Sequence, residues 1–289
     1  MLLLLIPFVR LRLSMRKKLV KREPGITKQI ERSTNLYGRN LFQRYRQHSH
    51  CITKLVHLLD ETAEIIRLED VSVIERIKAN EVIVLGYPTQ FSNSPYMVRD
   101  FIKSNASLWN GKQVLCVATM GAFSGDGAGC TARLLKKYGA VVLGGLHIKM
   151  PDSVLDSKLL KRTVEENREI IKKADQKIAD TAKQIKLGRY PREGISFTSH
   201  IIGLFGQRLW FYRKNAGYTD KLKISNDCLG CGKCAGLCPL HNISMVDGRP
   251  RPGSRCTMCY RCISSCPEQA ITLLGERVQE QYRFEKIAK

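Results

Sequence analysis

Apolar residues recur at two distinct spacings between Ile52 and Leu146. Ile52, Leu55, Val56 and Leu59 fall on one helical face. Residues 63–68 then read as a strand and 74–79 as a short helix. Within residues 81–86 the run Val82-Ile83-Val84-Leu85 is apolar at every position, the pattern of a parallel strand buried on both faces. A loop covers 87–94, and Ser94-Pro95 opens a helix running to Lys103. Residues 113–118 form another buried strand, followed by a glycine-rich loop to Gly129. Residues 131–138 are helical and stop at Gly139, and 141–146 form the last strand. Strand and helix alternating over short connections predict an α/β fold built on a doubly wound parallel sheet.

Further along, the period stays helical. Leu160, Val164, Ile171, Ala174, Ile178, Ala182 and Ile185 fall at steps of three, four and seven. They predict one long helix over 156–187, ended by Gly188 and Pro191. Its stripe, diluted by alanine, is expected to pack on the sheet and not to form a coiled coil. Residues 195–212 are apolar and aromatic, with Phe197, Phe205, Trp210, Phe211 and Tyr212, but His200, Gln207, Arg208 and two glycines interrupt them. That pattern argues against a membrane span and predicts a segment packed between two domains. Residues 1–36 have no sustained period. Residues 1–9 are apolar but too few to cross a bilayer. The charges Arg10, Arg12, Arg16, Lys17 and Lys18 follow the apolar run, whereas a signal peptide places them before it. This stretch is expected to be unstructured.

The length of 289 residues suits two domains, and 43% hydrophobic residues suffices for a normal core. The formal net charge of +22 would suit an acidic partner, a membrane surface or nucleic acid. No nucleic-acid motif accompanies it, so the charge reads as a solvated basic face plus the basic amino-terminal stretch, and no nucleic-acid partner is expected.

The eleven cysteines carry the chemistry. Cys228, Cys231, Cys234 and Cys238 precede Pro239; Cys256, Cys259, Cys262 and Cys266 precede Pro267. Each set reads C-x-x-C-x-x-C-x-x-x-C-P, the iron–sulfur run of bacterial ferredoxins, in which the fourth cysteine ligates the other cluster. Cys228, Cys231, Cys234 and Cys266 would therefore hold one [4Fe–4S] cluster, and Cys256, Cys259, Cys262 and Cys238 the second. Zinc has no use for a third cysteine at the same step. A disulfide framework needs an oxidising compartment, whereas thiolate ligands without a secretory signal imply the cytoplasm. Gly230, Gly232, Ala235, Gly236, Ser264 and Ser265 let backbone N–H groups approach sulfur. Cys51, Cys116 and Cys130 lie outside the runs. Cys116 and Cys130 read as small hydrophobes, and His57 and His147 as structural residues.

The cysteine runs resemble a two-cluster bacterial-type ferredoxin over about residues 218–275. Two loops at the carboxyl ends of predicted strands resemble the flavin-ring loops of flavodoxins. The first contains Tyr87, Pro88, Thr89, Asn93 and Ser94, and the second Met120, Gly121, Ala122, Phe123, Gly125 and Asp126. Together these features resemble the flavodoxin–ferredoxin fusion proteins called EFR1-type ferredoxins. The resemblance implies FMN beside two [4Fe–4S] clusters, with the loop residues just named around the flavin. It also implies a Ser-x-Thr-Gly-Asn-Thr turn before the helix at Ile52, whose N–H groups would hold the FMN phosphate. Residues 41–50, Leu-Phe-Gln-Arg-Tyr-Arg-Gln-His-Ser-His, contain no glycine and no strand pattern. Codons for these residues, read one nucleotide out of phase, can encode Tyr-Phe-Ser-Gly-Thr-Gly-Asn-Thr-Arg. Tyr37-Gly38 can likewise yield a start codon. The chain thus reads as a flavodoxin-like domain whose phosphate loop was lost to a frameshift near His50, with weak or no FMN binding as it stands.

The domain boundaries expected are an unstructured or out-of-frame extension over 1–36, a flavodoxin-like domain over 37–150, a helical linker over 151–217 and a ferredoxin domain over 218–289. The function expected is single-electron transfer with redox-protein partners, with an electron carrier favoured over a substrate-specific enzyme. Two alternatives stand beside it. An iron–sulfur flavoprotein reductase would bind FMN and turn over a small molecule. A non-redox binding protein would keep its clusters oxidised and bind nucleic acid in a salt-sensitive way.

Overall fold

The computed structural model describes residues 2–6, 43–152, 162–209 and 221–273. The α/β layer contains β1 (Leu2–Ile6), α1 (Gln43–Leu59), β2 (Glu64–Arg67), α2 (Val73–Ala79), β3 (Val82–Pro88), α3 (Tyr96–Ser104), β4 (Gln113–Met120), α4 (Gly127–Lys137) and β5 (Val141–Lys149). The sheet order is β2-β1-β3-β4-β5. β3, β4 and β5 run parallel, joined by helical crossovers as the alternating pattern predicts.

β1 departs from that expectation. It lies within the sheet and pairs antiparallel with both β2 and β3. Leu2–Ile6 is apolar throughout, and such a run is compatible with pairing in either direction, because its composition does not encode strand polarity. The sheet is therefore mixed, with a three-strand parallel part, and part of the stretch expected to be unstructured supplies a strand. Residues 7–36 lie outside the described residues.

The strands alternate their side chains between two cores with period two. Ile83, Leu85, Tyr87, Val114, Cys116 and Ala118 face α2, α3 and α4, where Trp109 and Ile102 are also buried. Val84, Leu115, Val117, Leu146 and Ile148 face α1 and α5 (Val164–Lys186). Cys51 and Cys116 sit on opposite faces, each fully buried, and burial pushes both thiols up. Cys130 is only partly buried, a correction to its reading as a core residue. α1 starts at Gln43, ahead of the apolar stripe that announces it.

α5 opens on a capping box, in which the Thr163 hydroxyl accepts from the Glu166 N–H and the Glu166 carboxylate accepts from the Thr163 N–H. Ile171, Ala174, Ile178 and Ala182 bury the expected stripe beside α1 and the sheet. Val164, at the helix start, is exposed, and Leu160 lies outside the described residues. A hollow of ≈ 630 Å³ beside α5, lined by Lys173, Lys177 and Tyr190, contains no cysteine. The segment expected between domains forms α6 (Phe197–Gly203) and a π-helical turn over Leu204–Arg208. Its Phe197 and Phe205 are 78% and 66% exposed, so much of its apolar surface faces solvent. Trp210, Phe211 and Tyr212 lie outside the described residues. Among the described residues no helix is long and apolar enough to cross a membrane.

The cysteine-rich unit is small. β6 (Lys223–Ile224) pairs with β9 (Ile271–Thr272), and β7 (Ile243–Val246) with β8 (Arg249–Pro252), all antiparallel. Two short helices, α7 (Lys233–Leu237) and α8 (Arg261–Ser265), lie against each other around a separate core of Leu222, Ile243, Met258, Tyr260, Ile263 and Ile271.

Candidate metal centre

The two cysteine runs adopt one conformation twice, 28 residues apart. Three left-handed positions repeat: Gly230 and Met258, Gly232 and Tyr260, His241 and Gln269. Glycine adopts this conformation without a Cβ penalty, whereas Met258 and Tyr260 carry about 1–2 kcal/mol of strain each. Burial of their side chains in the local core offsets it.

Toward the sulfurs of the two runs point the N–H groups of Gly230, Met258, Asn242 and Ala270, again in pairs. Gly230 N donates to Cys228 Sγ at 3.4 Å and Met258 N to Cys256 Sγ at 3.4 Å. Asn242 N donates to Cys238 Sγ at 3.1 Å and Ala270 N to Cys266 Sγ at 3.3 Å. Such donors stabilise negative charge on ligating sulfur.

The fold brings together residues distant in sequence. Cys228, Cys231, Cys234 and Cys266 line one cavity with Gly232, Pro250 and Ile271. Cys238 acts electrostatically on both Cys256 and Cys262, as does Cys259. Burial pushes the free thiols of Cys234 and Cys262 up, and that of Cys256 to about 11. A ligated metal would displace those protons. Among the described residues no three His, Cys, Asp or Glu side chains converge as ligands of a single ion would. The donor set fits iron–sulfur clusters: soft sulfur donors, four of them around one cavity, with N–H groups aimed at them.

The sheet-edge loops fit FMN poorly. Tyr87 is fully buried and donates to Gly127 O at 2.9 Å. Asn93 and Ser94 are buried, and Pro88 and Thr89 are half-buried, with Thr89 N bonded to Thr119 O. Met120, Gly121 and Gly125 are half-buried, and Ala122 and Phe123 are exposed. The Asp126 carboxylate is fully buried between Arg133 at 2.5 Å, Arg208 at 2.6 Å and His200 at 3.1 Å. α6 closes over this loop: a Cβ on Gly203 would lie 2.5 Å from Asp126 Cβ.

At the phosphate end the mismatch is plainer. β1 runs against β3 with its carboxyl end beside the start of that strand, where Ile6 pairs with Val82, away from the edge at which the parallel strands end. α1 occupies residues 43–50 instead of a glycine turn. His48 is buried there, bonded through Nδ1 to Thr119 Oγ1 at 3.2 Å, while its Nε2 has no hydrogen-bond partner among the described residues. Its imidazole lies within 3.1 Å of a Cβ built on Gly86, filling the edge of the sheet.

His147 is structural, accepting from the Ala128 N–H at 3.2 Å; His57 is exposed. Pattern reading passed over three residues that fasten the cysteine-rich unit to the sheet. Gln90 Nε2 donates to the carbonyls of Thr257 at 3.1 Å and Met258 at 3.0 Å. Glu69 and Arg261 form a largely buried ion pair. Single polar residues that pair over such separations leave no periodic signal.

No protein-family model matches the chain, and no solved structure does. Over 51 residues it is 39% identical to one component of the Na(+)-translocating ferredoxin:NAD(+) oxidoreductase complex of Acetobacterium woodii. That stretch covers 17% of this chain and 15% of the relative, so the chain matches only a small part of that protein's length.

Proposed function

We propose that this chain is an iron–sulfur electron-transfer protein holding two [4Fe–4S] clusters. One is held by Cys228, Cys231, Cys234 and Cys266, the other by Cys256, Cys259, Cys262 and Cys238. The carrying observation is the cavity that gathers three cysteines of the first run with the last of the second. The local likeness to a component of a ferredoxin:NAD(+) oxidoreductase complex supports the same reading. When bound, such clusters accept and give up single electrons. The chain supplies thiolates, paired N–H donors and a small apolar core that limits water. Redox-protein partners follow from this role.

We also infer that residues upstream of Cys51 are translated out of frame. The antiparallel pairing of β1 inside the sheet and the helix at 43–50, where a phosphate turn belongs, support that reading.

The direct experiment is anaerobic purification with iron and sulfide analysis and EPR of the reduced protein. About eight of each per chain and two interacting paramagnetic centres are expected. Iron at the level of one bound ion, or none, overturns the assignment.

A further inference from the structure

The two repeats match in backbone but not in surroundings. In the first, the peptide whose N–H donates to Cys228 Sγ is Leu229–Gly230, and the Leu229 side chain is 71% exposed. In the second, the corresponding peptide is Thr257–Met258, buried under the loop that follows β3. Gln90 reaches down from that loop and donates to the carbonyls on both sides of Met258. Met97 N adds a contact to Thr257 Oγ1 at 3.4 Å. Phe91 and Tyr96 pack on the same core as Met258 and Tyr260, and Glu69 fastens Arg261, next to Cys262.

One peptide group links the two hydrogen bonds. The Thr257 carbonyl that accepts from Gln90 and the Met258 N–H that donates to Cys256 Sγ belong to the same amide. Bonding the oxygen polarises the amide and strengthens its N–H as a donor, since chained hydrogen bonds reinforce one another at low dielectric. A stronger N–H···S bond favours the more negative, reduced state of a cluster.

Resting on the cluster assignment above, we infer that the two sites are ordered. The Cys238, Cys256, Cys259 and Cys262 site is the inner one, against the sheet's ligand edge, and Gln90 is a positioning residue that raises its potential. The Cys228, Cys231, Cys234 and Cys266 site is the outer one, open to solvent at Leu229 and the exposed Cys231.

The test uses the full chain, purified anaerobically, and its Gln90→Met variant, which keeps side-chain length and loses the donor. EPR-monitored titration reads each midpoint, and a soluble dysprosium chelate reports which centre is nearer water through faster spin relaxation. In Gln90→Met one midpoint falls, by about threefold in the reduction equilibrium (~30 mV at 59 mV per tenfold for one electron). It belongs to the centre less affected by dysprosium. Two midpoints falling together, none moving, or the shift appearing in the more accessible centre overturns the ordering. Glu69→Gln provides a second reading should Gln90→Met fail to fold. It is expected to raise dysprosium access at the inner centre alone, and equal access at both centres counts against the proposal. Failure of the cluster assignment itself is told apart by the iron count of the unaltered chain.

Discussion

His48 illustrates how one buried side chain sets a pH limit. Burial holds its pKa down to about 3, well below the 6.5 of a free imidazole. The unfolded chain therefore binds a proton that the folded chain refuses. The stability this confers is complete above about pH 6.5 and is lost as pH falls toward 3, by at most about 1.4 kcal/mol per pH unit. Denaturant midpoints measured from pH 7 to 4 should fall with this slope, and His48→Gln, which cannot titrate, should flatten it. The glycines of the first cysteine run separate conformational from steric need. Gly230 and Gly232 are both left-handed, but only a Cβ on Gly230 would strike a backbone atom, the Gly248 carbonyl oxygen. Gly232→Ala is expected to cost about 1–2 kcal/mol from the left-handed backbone alone, and Gly230→Ala clearly more, with loss of the Cys228 cluster by EPR. The cysteines were legible because ligand spacing is a local rule; the value of His48 was not, because nothing local announces burial.

At the scale of elements, α5 shows what periodicity can and cannot deliver. Its stripe named the contact face, and Ile171, Ala174 and Ile178 occupy it. Val164 continued the period but fell on the first turn, beyond the reach of the sheet. Ile178→Ala removes a fully buried side chain between α1, α5 and the strands, for a cost of about 2–4 kcal/mol. Val164→Ala, on an exposed turn, should stay within about 0.5 kcal/mol. A guanidinium chloride titration distinguishes the two, and equal losses would place the stripe elsewhere. Over 195–212 aromatic content suggested burial; in its described part His200 of α6 and Arg208 of the π-helical turn are fastened to Asp126, while Phe197, Ile202 and Phe205 face solvent.

For the whole molecule, two predictions concern how distant parts meet. Cys238→Ser should remove the centre whose other ligands are Cys256, Cys259 and Cys262 and leave the second EPR signal in place. Loss of the Cys228 centre alone would refute the crossed arrangement. The second concerns the inner strands of the sheet. A chain begun at the shifted methionine, with Tyr-Phe-Ser-Gly-Thr-Gly-Asn-Thr-Arg before Cys51, would place a glycine nest at the ligand edge now filled by His48. It should quench FMN fluorescence at far lower protein concentration than the chain as it stands. Equal affinity in the two would defeat the reading-frame argument.

The sequence by itself determined the two cysteine runs, the alternation of buried strands and helices from Ile52 to Leu146, and the face of α5 that packs. Each is a local rule of spacing or period, read within a few residues. Only the tertiary structure decided the direction of β1, because an unbroken apolar run can pair either way. Only it closed the loops after β3 and β4 with the Asp126 ion cluster and α6, and set Gln90 on the Thr257–Met258 peptide. Those outcomes depend on which polar groups meet across 74 to 168 residues of chain. Such a pairing follows from the packing of whole layers and leaves no trace in the spacing of neighbours.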